Sequence, residues 1–484
     1  MTGWTYTPPG GPRRHRRLAD RYLLGLSVVL LGYALFGRAF AYLGVPPVFI
    51  GEIMLALGLL LVAASPERRA TFMSSPILWG AALLAWVAIR TVPYIGTYGL
   101  DAIRDAMVAG YALFALVAVG LVTSQPERIR DLIVRYRWLV LTVGTVGWVL
   151  YLIYRTNMDL FPKIPWAPHV HVVENKPGDL VVHMAGITAF VVLGWKRVSP
   201  VLLTILVVGT GAAMAGGRGG MVGFIVGITA FALFKPKVAR FGRLAYVGVM
   251  LLIVGIAVDT SGVEINEGNR SLSVDQLIEN VKSVFGQSDQ AMLATTTEWR
   301  IEWWTDIVEY TVLGDHFWLG KGFGINLATD DGFQVERSDA LRSPHNVHLT
   351  FLARAGVPGL ILWLLLQATW VWTVLRAWRD ARRQRLDGWV GFYALCSVYW
   401  AGALVNASFD VYLEGPMGAV WFWTVFGLAL AGAQIQRTHP HLLDDVREGG
   451  GDSRRATPER PSTFHWVPAA ETPAPVEPSV YETT

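Results

Sequence analysis

Apolar residues in this chain come in long, nearly unbroken runs, not in the alternation of a half-buried strand. The runs occupy residues 22–43, 48–64, 76–93, 107–122, 138–154, 181–195, 201–215, 221–234, 244–258, 357–375, 389–405 and 417–433. A helix that crosses a bilayer needs about 20 largely apolar residues, so the runs predict about twelve spanning helices, several of them short. The expected class is an all-α, polytopic membrane protein. Two stretches break the pattern. Residues 260–344 are polar and hold two amphipathic, helix-like pieces, "SLSVDQLIENVKSVFGQ" and "TTEWRIEWWTDIVEYTVL". Residues 434–484 are rich in Pro, Glu, Arg, Ser and Thr and are expected to be disordered.

Charge gives the runs an orientation. Arg13, Arg14, Arg16, Arg17 and Arg21 precede the first run, and every second connection after it is basic: Arg68 and Arg69; Arg128, Arg130, Arg135 and Arg137; Lys196 and Arg197; Lys235, Lys237, Arg240 and Arg243; Arg376 to Arg385. Basic connections stay in the cytoplasm. Both termini are therefore expected there, in a multi-pass protein of the bacterial cytoplasmic (inner) membrane. The expected organisation is a basic cytoplasmic N-terminus (1–21), spans one to nine (22–259), a large periplasmic or extracytoplasmic loop (260–344), spans ten to twelve (345–433) and a cytoplasmic tail (434–484). The basic start leads into a full-length span without a clear cleavage site, unlike a signal peptide.

Composition agrees with this and adds limits. The chain has 484 residues, is 53% hydrophobic and only 16% charged, and is rich in Trp (20) and Phe (21). Its mean hydropathy is +0.39. One cysteine, Cys396, lies in an apolar run and excludes an intrachain disulfide. Nucleic acid is not an expected partner; membrane lipid is.

The candidate chemistry lies on the outer side. Arg218 sits in "AMAGGRGGMVGF", where Gly219 and its neighbours permit close approach of a ligand at a helix start, a good place for a phosphate or diphosphate. A plain turn with a solvated arginine is the competing reading. Arg300 sits among Trp299, Trp303 and Trp304. It reads either as part of an interfacial aromatic belt or as an arginine held over a pocket mouth. His345 and Asn346, in "SPHN", stand at the first turn of a helix, and a histidine there suits general-base work. His348 and Arg354 read as first-turn and snorkelling polar groups. No ligand spacing for a metal is visible.

The segment "SPHNVHLTFLARAGVPGLILWLLL" resembles the core of the O-antigen ligase and O-antigen polymerase superfamily, with Gly356 and Gly359 as its G-x-x-G step. "HFWLGKGFGINL" is similar to the family's element upstream of the histidine, and "AMAGGRGGMVGF", "EWRIEWW" and "YLEGPMGAVWFWTVFGL" resemble further elements in the family's order. One departure is Gly217, where the family often has a serine, which removes a hydroxyl. The resemblance implies a GT-C-like glycosyltransferase, a ligase or polymerase acting on a glycan carried by undecaprenyl diphosphate. Its acceptor is a glycan or lipid-glycan, and it needs no cofactor and no metal. Carried over, Arg218 and Arg300 match diphosphate-binding arginines, His345 the essential histidine, and Asn346 its companion, with Gly219 in support.

The implied chemistry is inverting. Two arginines offset charge growing on the leaving diphosphate, and His345 accepts or orients the acceptor proton. Alternatively His345 contacts phosphate, and Glu298, Asp410 or Glu414 serves as base. A transporter or flippase of lipid-linked glycan is the competing class, with Arg218 and Arg300 lining a substrate path and Arg38, Glu52 and Arg354 as candidate charges near mid-membrane. The absence of a visible internal repeat disfavours an inverted-repeat transporter.

Overall fold

Inside a bilayer the backbone has only itself to bond, so an apolar run must become a helix. The computed structural model describes residues 13–65, 74–235, 266–267, 270–271, 291–335 and 341–446. In it, eleven of the twelve apolar runs fall on helices; the run 244–258 lies outside the described residues. The helices are α1 (Arg13–Phe36), α2 (Ile50–Ala63), α3 (Ser75–Tyr98), α4 (Leu100–Gly110), α5 (Leu113–Thr123), α6 (Glu127–Thr156), α7 (Pro177–Val192), α8 (Pro200–Ala215), α9 (Arg218–Phe234), α10 (Ala291–Val308), α11 (Val347–Arg383), α12 (Asp387–Ala407) and α13 (Pro416–Thr438).

Among the described residues, six helices are long and apolar enough to cross a membrane: α1, α3, α6, α11, α12 and α13. α4 and α5 are apolar enough for a crossing only when taken together, and they are bent by 44° where one continuous span was expected, the shape of a broken span or a re-entrant loop. α2, α7, α8 and α9 are shorter. A 16-residue helix such as α7 is about 24 Å long, less than the hydrocarbon core. The chain is an all-α multi-pass membrane protein. The first run also ends earlier than expected: α1 stops at Phe36 because Gly37 turns with φ +60 and the chain enters a small hairpin, Gly44–Val45 paired with Val48–Phe49.

α12 and α13 form the centre, 83% and 89% buried over their apolar windows, against 28% for α3. α9 packs on α12 and α7, α13 on α5, and α11 on α3. Close approach of α9 to α12 needs small residues: a Cβ on Gly223 would stand 2.9 Å from the Gly402 carbonyl oxygen.

The described part of the polar segment builds a second, smaller core against the start of α11. Trp303 and Ile307 of α10 join Leu327, Ala328 and Leu341, and pack on Leu352 and Ala353. Trp303 is therefore not an interfacial aromatic; its indole N–H donates to Asp331 at 2.6 Å. α11 is kinked at Gly356 (φ 68, ψ −174), which frees carbonyls from the helix ladder. "LGKGFG" supplies the missing donors. Lys321 N donates to Ala353 O at 2.7 Å and Gly322 N to Arg354 O at 3.0 Å, while Val357 N returns to Phe317 O at 2.8 Å. Gly320 lies so close that a Cβ would stand 2.6 Å from the Arg354 carbonyl carbon. The two family-like elements are thus one unit, a broken helix and the strand-like patch that completes its hydrogen bonds.

Arg354 does not snorkel. It is buried, pairs with Asp105 at 3.1 Å and donates to Ile325 O at 2.9 Å.

Candidate functional site

Four helices begin around one point. Proline opens α7 (Pro177) and α13 (Pro416), where a missing N–H costs nothing. Gly217 precedes α9, and Asn346 caps α11 by accepting from His348 N at 3.0 Å and Leu349 N at 3.3 Å. Glycine lets these ends crowd together. A Cβ on Gly220 would lie 2.8 Å from Gly178 Cα, and one on Gly219 would lie 3.0 Å from Phe409 Cβ. Helix N-termini carry partial positive charge and unpaired N–H groups, a setting that favours an anion. Arg218 is the first residue of α9; its side chain lies outside the described residues.

Arg300 reaches this point from α10. Its Nη1 donates to the Phe409 carbonyl at 3.0 Å, the residue that Gly219 packs against. Trp304, four residues along, donates from Nε1 to Pro344 O at 2.9 Å. α10 therefore docks on the "SPHN" turn.

His345 follows Pro344 with φ +55, left-handed backbone that a non-glycine residue adopts at a cost. Its side chain is 28% exposed, and Nδ1 stands 3.9 Å from Asp410 Oδ1, too far for a hydrogen bond. Asp410 is held instead by Lys176, whose Nζ is 2.7 Å away, and by the Val411 N–H. Burial lowers the imidazole pKa to about 4; Asp410 works against the shift, while Lys176 and Arg300 reinforce it. The ring is neutral at pH 7. Burial raises the Asp410 carboxyl, but the Lys176 ammonium outweighs it and the net shift is downward. Glu414, under the turn, is raised by burial against hydrogen bonds from Ser343 and Thr350, the latter at 2.8 Å.

The expected site residues thus separate into groups. Arg300, His345 and Gly219 converge. Asn346 holds the backbone of the turn. His348 is structural: its Nδ1 accepts from Trp363 Nε1 at 2.9 Å, and its Nε2 meets Ser408 Oγ at 3.2 Å. Glu298 is exposed on α10. Of the transporter candidates, Arg38 pairs with Glu174 at 3.1 Å, Glu52 accepts from Tyr111 at 2.8 Å, and Arg354 is committed to Asp105. Lys176 was not foreseen. Its only signal was a lone lysine in "ENKPGD" just before a proline-led helix.

Residues 201–364 match the family model described as O-antigen ligase, a stretch that holds Arg218, Gly219, Arg300, His345 and Asn346. No curated protein matches the chain. The chain is therefore a multi-pass membrane protein whose residues 201–364 match the O-antigen ligase family, a likeness that supports the O-antigen ligase and polymerase superfamily.

Proposed function

We propose that this chain is a glycosyltransferase of about twelve spans and GT-C-like build in the bacterial inner membrane, with both termini cytoplasmic and the segment 260–344 on the outer face. It transfers, or polymerises, a glycan carried on undecaprenyl diphosphate. The observation that carries the reading is the convergence of Arg300, His345, Asp410 and Lys176 where α7, α9, α11 and α13 begin. An anionic leaving group fits there. Arg300 and Arg218, with the helix N-termini, offset charge growing on the diphosphate as the glycosidic bond breaks.

The neutral imidazole of His345 takes the proton of the acceptor hydroxyl as that oxygen attacks the anomeric carbon from the opposite face, which inverts configuration. Nδ1 faces Asp410, which leaves Nε2 for the acceptor. Asp410, bonded to Lys176, faces the imidazole across 3.9 Å and its charge favours the imidazolium that forms. The chemistry uses no cofactor of its own. A flippase would need charged groups free along a path, whereas Arg38, Glu52 and Arg354 all hold structural partners.

Purified chain in vesicles, given lipid-linked glycan donor and acceptor, should form a new glycosidic bond. Arg218→Ala, Arg300→Ala and His345→Ala proteins that insert normally should each lose it. Full activity in all three would overturn the assignment, and strict dependence on added Mg²⁺ would move charge neutralisation from the arginines to a metal.

A further inference from the structure

Away from this site, α1, α6, α12 and α13 enclose a cavity of about 300 Å³. Its walls include Leu23, Leu30, Ile133, Tyr399 and Val425. Its mouth is set by Leu24, Val28 and Trp138, each more than half exposed, so it opens away from the protein interior. α12 ends beside His345, yet the cavity touches its other half, from Phe392 to Tyr399. The cavity therefore lies toward the opposite side of the membrane from the site.

Among the described residues, Arg135 is the only charged one in the lining. Of the arginines around it on α6, Arg130 is exposed and outside the lining, and two others are occupied. Arg128 pairs with Asp20 at 2.7 Å, and Arg137 donates to Trp195 O at 2.9 Å and Val446 O at 2.7 Å. Arg135 has no hydrogen-bond or ion-pair partner among the described residues. A guanidinium at the rim of an apolar slot lacks its complement, and the complement is an anion attached to a hydrocarbon chain. Trp138 at the mouth suits the headgroup level.

We infer that this groove binds an anionic glycerophospholipid of the cytoplasmic leaflet, one acyl chain between α1 and α13 and its phosphate on Arg135. The leaflet rests on the proposed orientation; the lipid class does not. A chain seated there bridges the first helix to the last two, so binding should stabilise the fold.

The test uses the full chain, purified and stripped of lipid in detergent. Dioleoyl phosphatidylglycerol should raise the melting temperature more than dioleoyl phosphatidylcholine, which has the same chains. Arg135→Gln should weaken the phosphatidylglycerol response about fivefold, the worth of one interfacial charge, and leave glycan transfer unchanged. Leu132→Trp, which fills the slot, should abolish the response to both lipids. Equal responses to the two lipids in the unaltered chain, or an unchanged response in both variants, would reduce the groove to ordinary lipid solvation and overturn the inference. Labelling of Arg135→Cys, in a Cys396→Ser background, by an impermeant maleimide from outside the cell would overturn the orientation and leaflet while leaving the lipid preference standing.

Discussion

Two clusters of charge flank the first turns of α11, and they are built on opposite principles. In the first, Arg354 and Asp105 are 2% and 8% exposed and 3.1 Å apart. Arg342 closes on the same carboxylate at 2.9 Å and on Asp101 at 3.3 Å, and further guanidinium N–H groups go to carbonyls of Ile325, Gly324 and Arg342. In the second, His345 and Asp410 are 28% and 23% exposed, stand 3.9 Å apart, and the histidine sits on strained backbone. The charges of the first cluster are paired with one another and join α4, the polar segment and α11. The second withholds a contact that a small shift would complete, and it spends backbone strain to do so. A closed set of charges is a fastener, and an open, strained one is a place for chemistry.

The contrast is broken most forcefully at Arg354. Arg354→Met leaves Asp105 buried with less compensation, at a cost of about 3–5 kcal/mol. Yield and melting temperature should fall together, with activity lost only as folded protein is lost. A normal melt with selective loss of transfer would move Arg354 into the chemistry. His345→Gly should do the reverse: transfer falls by about 10²–10⁴-fold, while relief of the left-handed backbone stabilises the fold by about 1 kcal/mol. Retention of transfer at near the original rate would end the general-base assignment.

Asn346→Ala tests the support beneath His345. Losing the α11 cap should cost about 1 kcal/mol in chemical denaturation, with a smaller loss of transfer than His345→Gly produces. The subtlest effect is on pH. Lys176 and Arg300 both disfavour the imidazolium, so Lys176→Gln should raise the His345 pKa from about 4. The acid limb of the kcat/KM profile should then move to higher pH. A limb that stays in place would mean that the Lys176 charge does not reach the base.

Several parts of this arrangement are readable without coordinates. The apolar runs locate eleven helices because a bilayer leaves the backbone no other solution. "SPHN" is readable as a turn and helix start because proline and asparagine have narrow local preferences. The bend between α4 and α5 and the early stop of α1 at Gly37 are not readable, since composition does not change there. Nor was the role of "LGKGFG", whose donors serve carbonyls 32 residues away, at Ala353 and Arg354.

What the sequence by itself determined is the class of the protein, its alternation of charge and the residue types available on one face. Those follow from transfer free energies and local backbone preferences, which act residue by residue. Only the tertiary structure decided which charges are spent and which are held in reserve. Arg300, Arg354 and Lys176 are each one cation in a polar or helical context along the chain. Distance alone separates them: Arg354 is closed on Asp105, Lys176 holds Asp410, and Arg300 meets Phe409 beside His345. Pairing and burial depend on neighbours brought together from remote parts of the chain, and electrostatic energy follows that separation in space, not the order of residues.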